Sequence, residues 1–275
     1  MINLFVAFFA FAFSPPPSQV VPFPDQDDIR LQFFSSPGYD GKVFFFAPHE
    51  NEKVVNDYLA EKVVRERGHL LILRQHGERH LTLTVNEGRY ELDPNRMFTS
   101  AGAASSLLRL NEGLTREHPD FEPTMARALA IGHWVVGHMN DLKRGTVVVA
   151  IHNNTDGYDD DGKGGIGTVS MERYQKKLDK GAKYIAKLHH GTHDEDDLFF
   201  INRKRDFRKL RKWGYNIVLQ HRQVATLPDE DDGSLSVFAE MKKVRYINIE
   251  AQRREGCDHL DVQKKMVDRV FRIVF

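Results

Sequence analysis

The chain has 275 residues, with 39 Lys plus Arg against 39 Asp plus Glu, so its formal net charge is zero. Because no net field attracts a polyanion, the balance gives no support for a nucleic-acid-binding protein or for one drawn to an anionic membrane. The single cysteine, Cys257, excludes an intrachain disulfide framework and a cysteine-rich zinc cluster. A chain of this length can bury a large core within one domain.

The first 30 residues differ in composition from the rest. Residues 2–13 are apolar except for Asn3, and a segment rich in Pro and Asp follows. The apolar stretch is shorter than the roughly 20 residues that span a bilayer, but it is typical of the apolar core of a secretory signal. We therefore predict a signal-like segment and linker over residues 1–30. This segment indicates export to the periplasm or the medium, or retention by an uncleaved N-terminal anchor.

From residue 31 to residue 275, strand-like apolar runs alternate with amphipathic stretches. Strands are predicted at residues 43–47, 70–73, 81–85, 90–92, 146–151, 215–219, 235–239 and 246–249. Helices are predicted at residues 52–66, 102–111, 122–142, 170–188, 203–213 and 258–272. The pattern is typical of a single α/β domain whose mixed, twisted sheet of about eight strands is flanked by helices.

The block at residues 153–167 contains four Asp and five Gly and is predicted to be a loop. Its Asp and Gly positions do not fit the template of a calcium-binding loop. Its glycine run also lacks the Gly-Lys-Ser/Thr ending of a phosphate-binding loop. The block therefore indicates neither a known calcium motif nor a nucleotide site.

Polar side chains follow directly on three predicted strands. His49 and Glu52 come after the strand at 43–47, His152 closes the strand at 146–151, and Glu250 ends the strand at 246–249. Ligands of open α/β sheets gather outside such carboxyl ends, so these residues are expected to converge. Two imidazoles and one carboxylate are a ligand set of hydrolytic zinc sites. We predict that His49, Glu52 and His152 bind a metal ion, whereas Glu50 points elsewhere.

These residues resemble a known set of motifs. His49-Glu50-Asn51-Glu52 is similar to the His-x-x-Glu zinc motif of the metallocarboxypeptidase superfamily, which includes the aspartoacylase and succinylglutamate desuccinylase group. The string at 93–98, Asp-Pro-Asn-Arg-Met-Phe, resembles the Asp-x-Asn-Arg-x-Phe motif of that second group. His152 matches the distant third ligand, and Glu250 matches the late catalytic glutamate at the end of a strand. The four elements occur in the expected order and cover most of the chain.

The resemblance implies a zinc carboxypeptidase-like fold over residues 31–275 and one Zn²⁺ per chain. His49, Glu52 and His152 would hold the zinc. Glu250 would be catalytic, as the general base toward the attacking water and then as the proton donor to the leaving amine.

The arginine motif implies the substrate's chemistry. Arg96 would be both catalytic and substrate-binding, since its planar guanidinium can donate two hydrogen bonds to a substrate carboxylate. Asn95 could hydrogen-bond the same carboxylate. Related enzymes use a second arginine to polarise the scissile carbonyl, and no motif places it here. Arg74 and Arg79 are candidates because of their proximity in the sequence.

A second group of potential metal ligands lies further along the chain. It consists of three histidines and nearby aspartates: His189, His190, His193, Asp194, Asp196 and Asp197. The spacing could form a metal site. We predict instead a solvated loop that overhangs the substrate site.

Taken together, the sequence predicts a secreted zinc metalloprotease of the carboxypeptidase type. This hydrolase would cleave an amide (peptide) bond near a free carboxylate, in peptides or in cell-wall peptide fragments. Two alternatives remain, an N-acyl amino acid deacylase similar to aspartoacylase and a non-catalytic carboxylate-binding module of the same fold. The basic run at 203–212 is predicted to be the exposed face of a helix, so nucleic acid is not an expected partner. No stable membrane span is expected beyond the N-terminal segment.

Overall fold

The structure is a computed structural model that describes residues 16–155, 157, 169–253 and 259–275. Its strands are β1 (Gln19–Phe23), β2 (Gln26–Ser35), β3 (Val43–Ala47), β4 (His69–Arg74), β5 (Leu81–Val85), β6 (Gly88–Leu92), β7 (Val147–Thr155), β8 (Ile185–His189), β9 (Leu198–Ile201), β10 (Asn216–Gln220) and β11 (Arg245–Arg253). Its helices are α1 (Asn56–Arg65), α2 (Ser100–Leu110), α3 (Phe121–Gly137), α4 (Met171–Asp179), α5 (Lys204–Lys212), α6 (Leu235–Met241) and α7 (Leu260–Val274).

Nine of these strands form one mixed sheet in the order β1-β2-β4-β3-β7-β11-β9-β10-β8, and β5 and β6 form a separate hairpin. At the centre of the sheet, β4, β3, β7 and β11 run parallel. The pairs β1-β2, β2-β4, β11-β9 and β10-β8 are antiparallel. Because β3, β7 and β11 share one direction, their carboxyl ends meet at the same edge of the sheet.

The centre of the sheet is buried on both faces. All five residues of β3 are buried, and they alternate between two apolar cores. Phe44 and Phe46 pack in the core beneath α2, α3, α4 and α6, whereas Phe45 packs in the core beneath α1, α5 and α7. This alternation of a continuous apolar strand between two layers of helices is expected for a central parallel strand. The prediction of a single α/β domain with a large mixed sheet is confirmed.

Several stretches differ from the sequence-based prediction, and strand β9 was not predicted at all. Residues 235–239, predicted as a strand, begin α6, whose N-cap is the Ser234 hydroxyl that accepts from the amide of Val237. The helix predicted at 170–188 ends at Asp179, and β8 follows. Residues 19–30, placed in a linker, instead form β1 and the first half of β2, so the sheet begins before residue 31.

Some predictions concern residues that the structure does not describe. The apolar stretch at 2–13, most of the block at 153–167 and Cys257 lie outside the described residues. Among the described helices, none is both long enough and apolar enough to cross a membrane.

Candidate metal centre

The parallel centre of the sheet places the predicted site residues side by side. Glu250 on β11 lies directly opposite His152 on β7 in the strand register, and His49 follows the end of β3 by two residues. All of them, with Glu52, line one open cavity of about 1750 Å³. The structure therefore brings together residues that are separated by up to two hundred positions in the chain.

His49, Glu52 and His152 form a buried cluster in this cavity. Their exposed fractions are 1%, 5% and 4%. One nitrogen of each imidazole and one oxygen of Glu52 lie within 4.8 Å of one another, and the two ring centroids are 5.2 Å apart. Glu52 reaches the cluster through a turn in which its amide donates to the carbonyl of His49, and α1 begins only at Asn56.

The hydrogen bonds assign one ring nitrogen of each histidine. Nδ1 of His49 donates to the carbonyl of Arg79 at 3.1 Å, and Nδ1 of His152 donates to Oε2 of Glu52 at 3.0 Å. In a neutral imidazole the other nitrogen, Nε2, then carries a lone pair. Nε2 of His152 is buried without a hydrogen-bond partner among the described residues. Such an atom is costly unless something binds it, and a divalent metal ion would do so. The donor set therefore fits zinc.

The electrostatics of the cluster are also suited to a cation. Burial lowers the pKa of His49 to about 4 and keeps this imidazole neutral. Burial opposes ionisation of Glu52, but the charges of His49, His152 and Arg79 lower its pKa to about 2. The neutral imidazole of His49 and the ionised carboxylate of Glu52 are the forms that bind metal ions. For His152, burial opposes the charged form, but the charges of Glu250 and Glu52 raise its pKa, so this imidazole must give up a proton that it holds more tightly than His49 does.

Glu250 lies beside the cluster and is only 7% exposed. Its Oε1 accepts a hydrogen bond of 2.9 Å from the amide of Asn248. Burial and the charge of Glu52 raise its pKa, against the opposing effect of His152. A carboxylate with a raised pKa is a better proton acceptor near neutral pH.

Arg96 and Asn95 follow β6 and line the same cavity. Arg96 donates through Nη1 to Oδ2 of Asp232 at 3.1 Å. Asn95 accepts from the amide of Leu235 at 3.4 Å, where α6 begins. The carboxylate of Asp232 thus occupies one donor of the arginine that the sequence assigns to a substrate carboxylate.

The structure separates the two candidates for the second arginine. Arg79 lines the cavity and bonds Glu52 through its guanidinium. Arg74 bonds Gln32 and Glu50 instead and does not line the cavity. Glu50 also accepts from backbone amides of the loop after β4 and does not belong to the cluster, as the sequence predicted.

The side chains of His189, His190 and His193 do not form a cluster like that of His49, Glu52 and His152. His190 contacts Gln175 through Nε2 at 3.3 Å, and His193 stacks on Tyr215 with ring centroids 4.4 Å apart. Among the described residues, the groups able to hold a metal ion do not include these histidines. The prediction of a solvated loop over this segment is wrong in part, because His189 ends β8 and both Asp196 and Asp197 are buried. None of residues 189–197 lines the cavity, so the segment does not overhang the substrate site as predicted.

Sequence reasoning missed the side of the cavity formed by α4. Arg173, Tyr174 and Lys177 line it together with Tyr184 and Tyr246. The Nζ of Lys177 lies 5.5 Å from the ring centroid of Tyr184, and burial, followed by the charge of Arg173, lowers the pKa of Lys177. The spacing of positions 173, 174 and 177 on one helical face was the available signal, but nothing in the sequence showed that this face meets the strand ends.

No protein-family model matches the chain, and no curated protein matches it. Among solved structures, it is similar to the succinylglutamate desuccinylase from Chromobacterium violaceum, with a TM-score of 0.45 and 11% identity over 92% of this chain and 68% of that chain. It is also similar to a murein-tripeptide amidase from Escherichia coli O157, with a TM-score of 0.42 and 13% identity over 90% of this chain and 87% of that chain. A third similarity is to the N-formylglutamate amidohydrolase from Ralstonia eutropha JMP134, with a TM-score of 0.40 and 13% identity over 89% of this chain and 96% of that chain.

The desuccinylase is one of the proteins that the sequence motifs resemble. All three TM-scores lie below 0.5, and the chemistry of the site follows from its own side chains.

Proposed function

We propose that this chain is a zinc-dependent hydrolase that cleaves an amide bond near a free carboxylate of its substrate. The supporting observation is the buried cluster of His49, Glu52 and His152, in which Nε2 of His152 lacks a partner among the described residues. Glu250, a buried carboxylate with a raised pKa, lines the same cavity. A metal site, a base and a carboxylate-binding arginine in one cavity are the parts that such a hydrolase requires.

Zinc held by His49, Glu52 and His152 would act as a Lewis acid, polarising the scissile carbonyl and making water a stronger acid. Glu250 takes the proton from the attacking water and then hands it to the leaving nitrogen. The hydrogen bond from the side-chain amide of Asn248 holds the carboxylate of Glu250 in place while this carboxylate accepts and then donates the proton. Removal of water's proton and protonation of the amine therefore share one side chain.

Two arginines position the substrate. Arg96 donates to the substrate carboxylate, which displaces Asp232 from its guanidinium. Arg79 is placed in the cavity to donate to the carbonyl oxygen as negative charge develops on it. The absence of a second arginine motif was the reason to consider a non-catalytic binding module. The presence of Arg79 in the cavity supports the catalytic alternative.

The cavity favours peptides over small acylated amino acids. Its volume of about 1750 Å³ exceeds the roughly 300–1000 Å³ of sites for small molecules. A peptide with a free carboxyl group on Arg96 would occupy more of this space than a single N-acyl amino acid. We therefore place peptidase activity ahead of deacylase activity.

Metal analysis followed by a substrate panel tests the proposal. Wild type is expected to contain about one zinc per chain by mass spectrometry, and His49→Ala and His152→Ala are expected to lose it. His193→Ala is the matched control and should retain the metal, since its ring stacks on Tyr215. The zinc-loaded protein is then assayed on peptides with free or amidated carboxyl termini and on N-acyl amino acids. Zinc retained in both cluster variants, or no hydrolysis of any amide in the panel, would contradict the proposal.

We also infer export of the chain, on the basis of the apolar stretch at residues 2–13. Fractionation of cells that express a C-terminally tagged full chain tests this. Accumulation of the tag in the cytoplasm would contradict export.

A further inference from the structure

A second group of oxygen ligands lies apart from the cluster of His49, Glu52 and His152. Asp194, Glu195 and Asp196 lie between β8 and β9, and one carboxylate oxygen of each lies within 4.8 Å of the others. Asp196 has an exposed fraction of 0%, whereas Asp194 and Glu195 are partly exposed. Three like charges at this separation repel one another, and burial of one of them strengthens the repulsion.

The carboxylate of Asp196 is only half satisfied. Its Oδ2 accepts from the amide of Gly157 at 2.7 Å. Its Oδ1 is buried and has no hydrogen-bond partner among the described residues. Burial, together with the charges of Glu195 and Asp194, raises the pKa of Asp196 to about 7, against the lowering effect of hydrogen bonds from Gly157 and Gln252. A buried carboxylate oxygen without a donor is expensive in a folded protein, unless a cation lies against it.

Among the ion pairs of the described residues, none joins a Lys or Arg side chain to these three carboxylates. In the ion pairs formed by the described part of the chain, the basic partner nearest this run is His259, which faces Asp197 at 3.5 Å rather than the other three carboxylates. Oδ1 of Asp194 accepts from the backbone amide of Asp196 and from the side-chain amide of Gln252, both at 3.2 Å and both neutral donors. Within the described part of the chain, the negative charge of these carboxylates is therefore not offset by an ion pair with Lys or Arg.

We propose that Asp194, Glu195 and Asp196 bind a calcium ion, at a site separate from the zinc cluster. The ligands are all oxygens, which hard cations prefer and zinc sites rarely use alone. Calcium–oxygen distances of about 2.3–2.6 Å place ligands on opposite sides of one ion about 5 Å apart, which is compatible with the observed limit of 4.8 Å. Magnesium requires shorter bonds and a nearly ideal octahedron. Water molecules would complete the calcium coordination.

The site would fasten the carboxyl ends of the strands that carry the catalytic groups. Asn154 on β7 donates to the carbonyl of Asp196 at 2.8 Å, and its own Oδ1 is buried without a partner among the described residues. The amide of Gln252 on β11 donates to Asp197 at 2.9 Å. Asn154 and Gln252 each lie two residues beyond a proposed active-site residue, so a bound calcium ion would stabilise the rim of the cavity.

The test compares two double variants with the same spacing and the same change in charge. Asp194→Asn/Asp196→Asn removes two of the proposed ligands, and Asp25→Asn/Asp27→Asn alters two exposed aspartates between and at the start of the first strands. Calcium binding is measured by isothermal titration calorimetry and thermal unfolding, on zinc-free and on zinc-loaded protein. Wild type and the control are expected to bind about one calcium ion with a dissociation constant of about 10⁻⁵ to 10⁻³ M. Their melting temperature should rise by about 5 °C or more at 100 times that concentration.

The Asp194→Asn/Asp196→Asn variant should show no calcium response, yet without calcium it should unfold at or above the temperature of the wild type. That second expectation follows because the variant no longer buries a repelled carboxylate, and it separates a lost site from a failure to fold. The proposal is overturned by an absent response in wild type up to about 10 mM calcium, by an equal response in the ligand variant, or by an equal response to magnesium. Because zinc content is measured separately, the outcome does not depend on the proposed hydrolase activity.

Discussion

Replacement of Glu250 by glutamine should separate catalysis from folding. Glutamine has the same shape, and its side-chain oxygen can still accept the hydrogen bond from Asn248 that holds Glu250 at 2.9 Å. It cannot take a proton from water. Loss of a general base typically costs a factor of about 10² to 10⁴, equivalent to about 2.7 to 5.4 kcal/mol of activation free energy. Because Arg96 and not Glu250 is the residue proposed to bind the substrate carboxylate, the loss should appear in kcat and leave KM nearly unchanged.

The same replacement should not lower the stability of the metal-free protein, although it lowers kcat. Burial raises the pKa of Glu250, so the folded protein binds more protons than the unfolded chain between the unfolded pKa of about 4.3 and the higher folded value. Stability of the metal-free protein therefore falls as the pH rises through that interval. Glutamine does not titrate, so at pH values above the folded pKa of Glu250 the metal-free variant should be at least as stable as the metal-free wild type.

The assay pairs steady-state kinetics with thermal unfolding on protein whose zinc content has been measured. An E250Q variant that is fully loaded with zinc and retains more than about a tenth of the wild-type kcat would refute the role of Glu250 as the base. A variant that is inactive and also markedly less stable would point to a structural role instead.

Three further changes have expected outcomes. Arg79→Lys should lower kcat by about 10²-fold, because it removes a proposed hydrogen-bond donor to the oxyanion. Arg74→Lys is the control and should leave the kinetics unchanged, because Arg74 does not line the cavity. Equal effects in the two variants would contradict the role proposed for Arg79. Asp232→Asn should lower KM, because the substrate carboxylate no longer competes for the arginine that Asp232 contacts at 3.1 Å; a higher KM would show that Asp232 positions this arginine instead. Asp206→Ala should lower the free energy of unfolding, measured in urea, by about 3 to 5 kcal/mol. The reason is that it leaves the buried guanidinium of Arg245, which Asp206 binds at 2.7 and 2.8 Å, without its carboxylate partner. A decrease below about 1 kcal/mol would contradict this.

The central strands could be predicted because burial leaves a strong mark on the sequence. The run at 43–47 is apolar throughout, and its predicted bounds agree with those of β3. The placement of His49, His152 and Glu250 at one edge followed from a general property of parallel sheets and needed no knowledge of the loops. Their assembly in one cavity agrees with that expectation. Their roles in metal binding and catalysis stay predictions.

The misassigned elements were short or lay at an edge. In α6 the residues at 235–239 are apolar except for Ser236, as in a buried strand, and the serine N-cap at 234 was the opposing signal. Pro22 suggested a linker, but β1 is the edge strand of the sheet, where a missing amide donor is tolerated. Gly181, with φ of 84°, follows the end of α4 by two residues. It was the signal that the helix ends here and does not continue to residue 188, as predicted.

The second arginine could not be chosen from the sequence, because the loop after β4 is shaped by distant contacts. The carboxylate of Glu50 accepts from the amides of Gln75 and Gly77 and fixes the path of this loop. The carbonyl of Arg79 is in turn held by the imidazole of His49. Such bonds span about 25 to 30 residues and leave no local pattern.

Glu250 and His152 lie directly opposite each other on neighbouring parallel strands. The backbone hydrogen bonds between β11 and β7 therefore set the distance between the proposed base and this proposed metal ligand. Side chains along a strand alternate between the two faces of the sheet, so deletion of one residue within β11 ahead of Glu250 would turn the carboxylate to the far side of the sheet. Insertions in the loops beyond the strand ends leave this pairing intact. Loops around this cavity can therefore differ in length while the spacing of Glu250 and His152 stays the same.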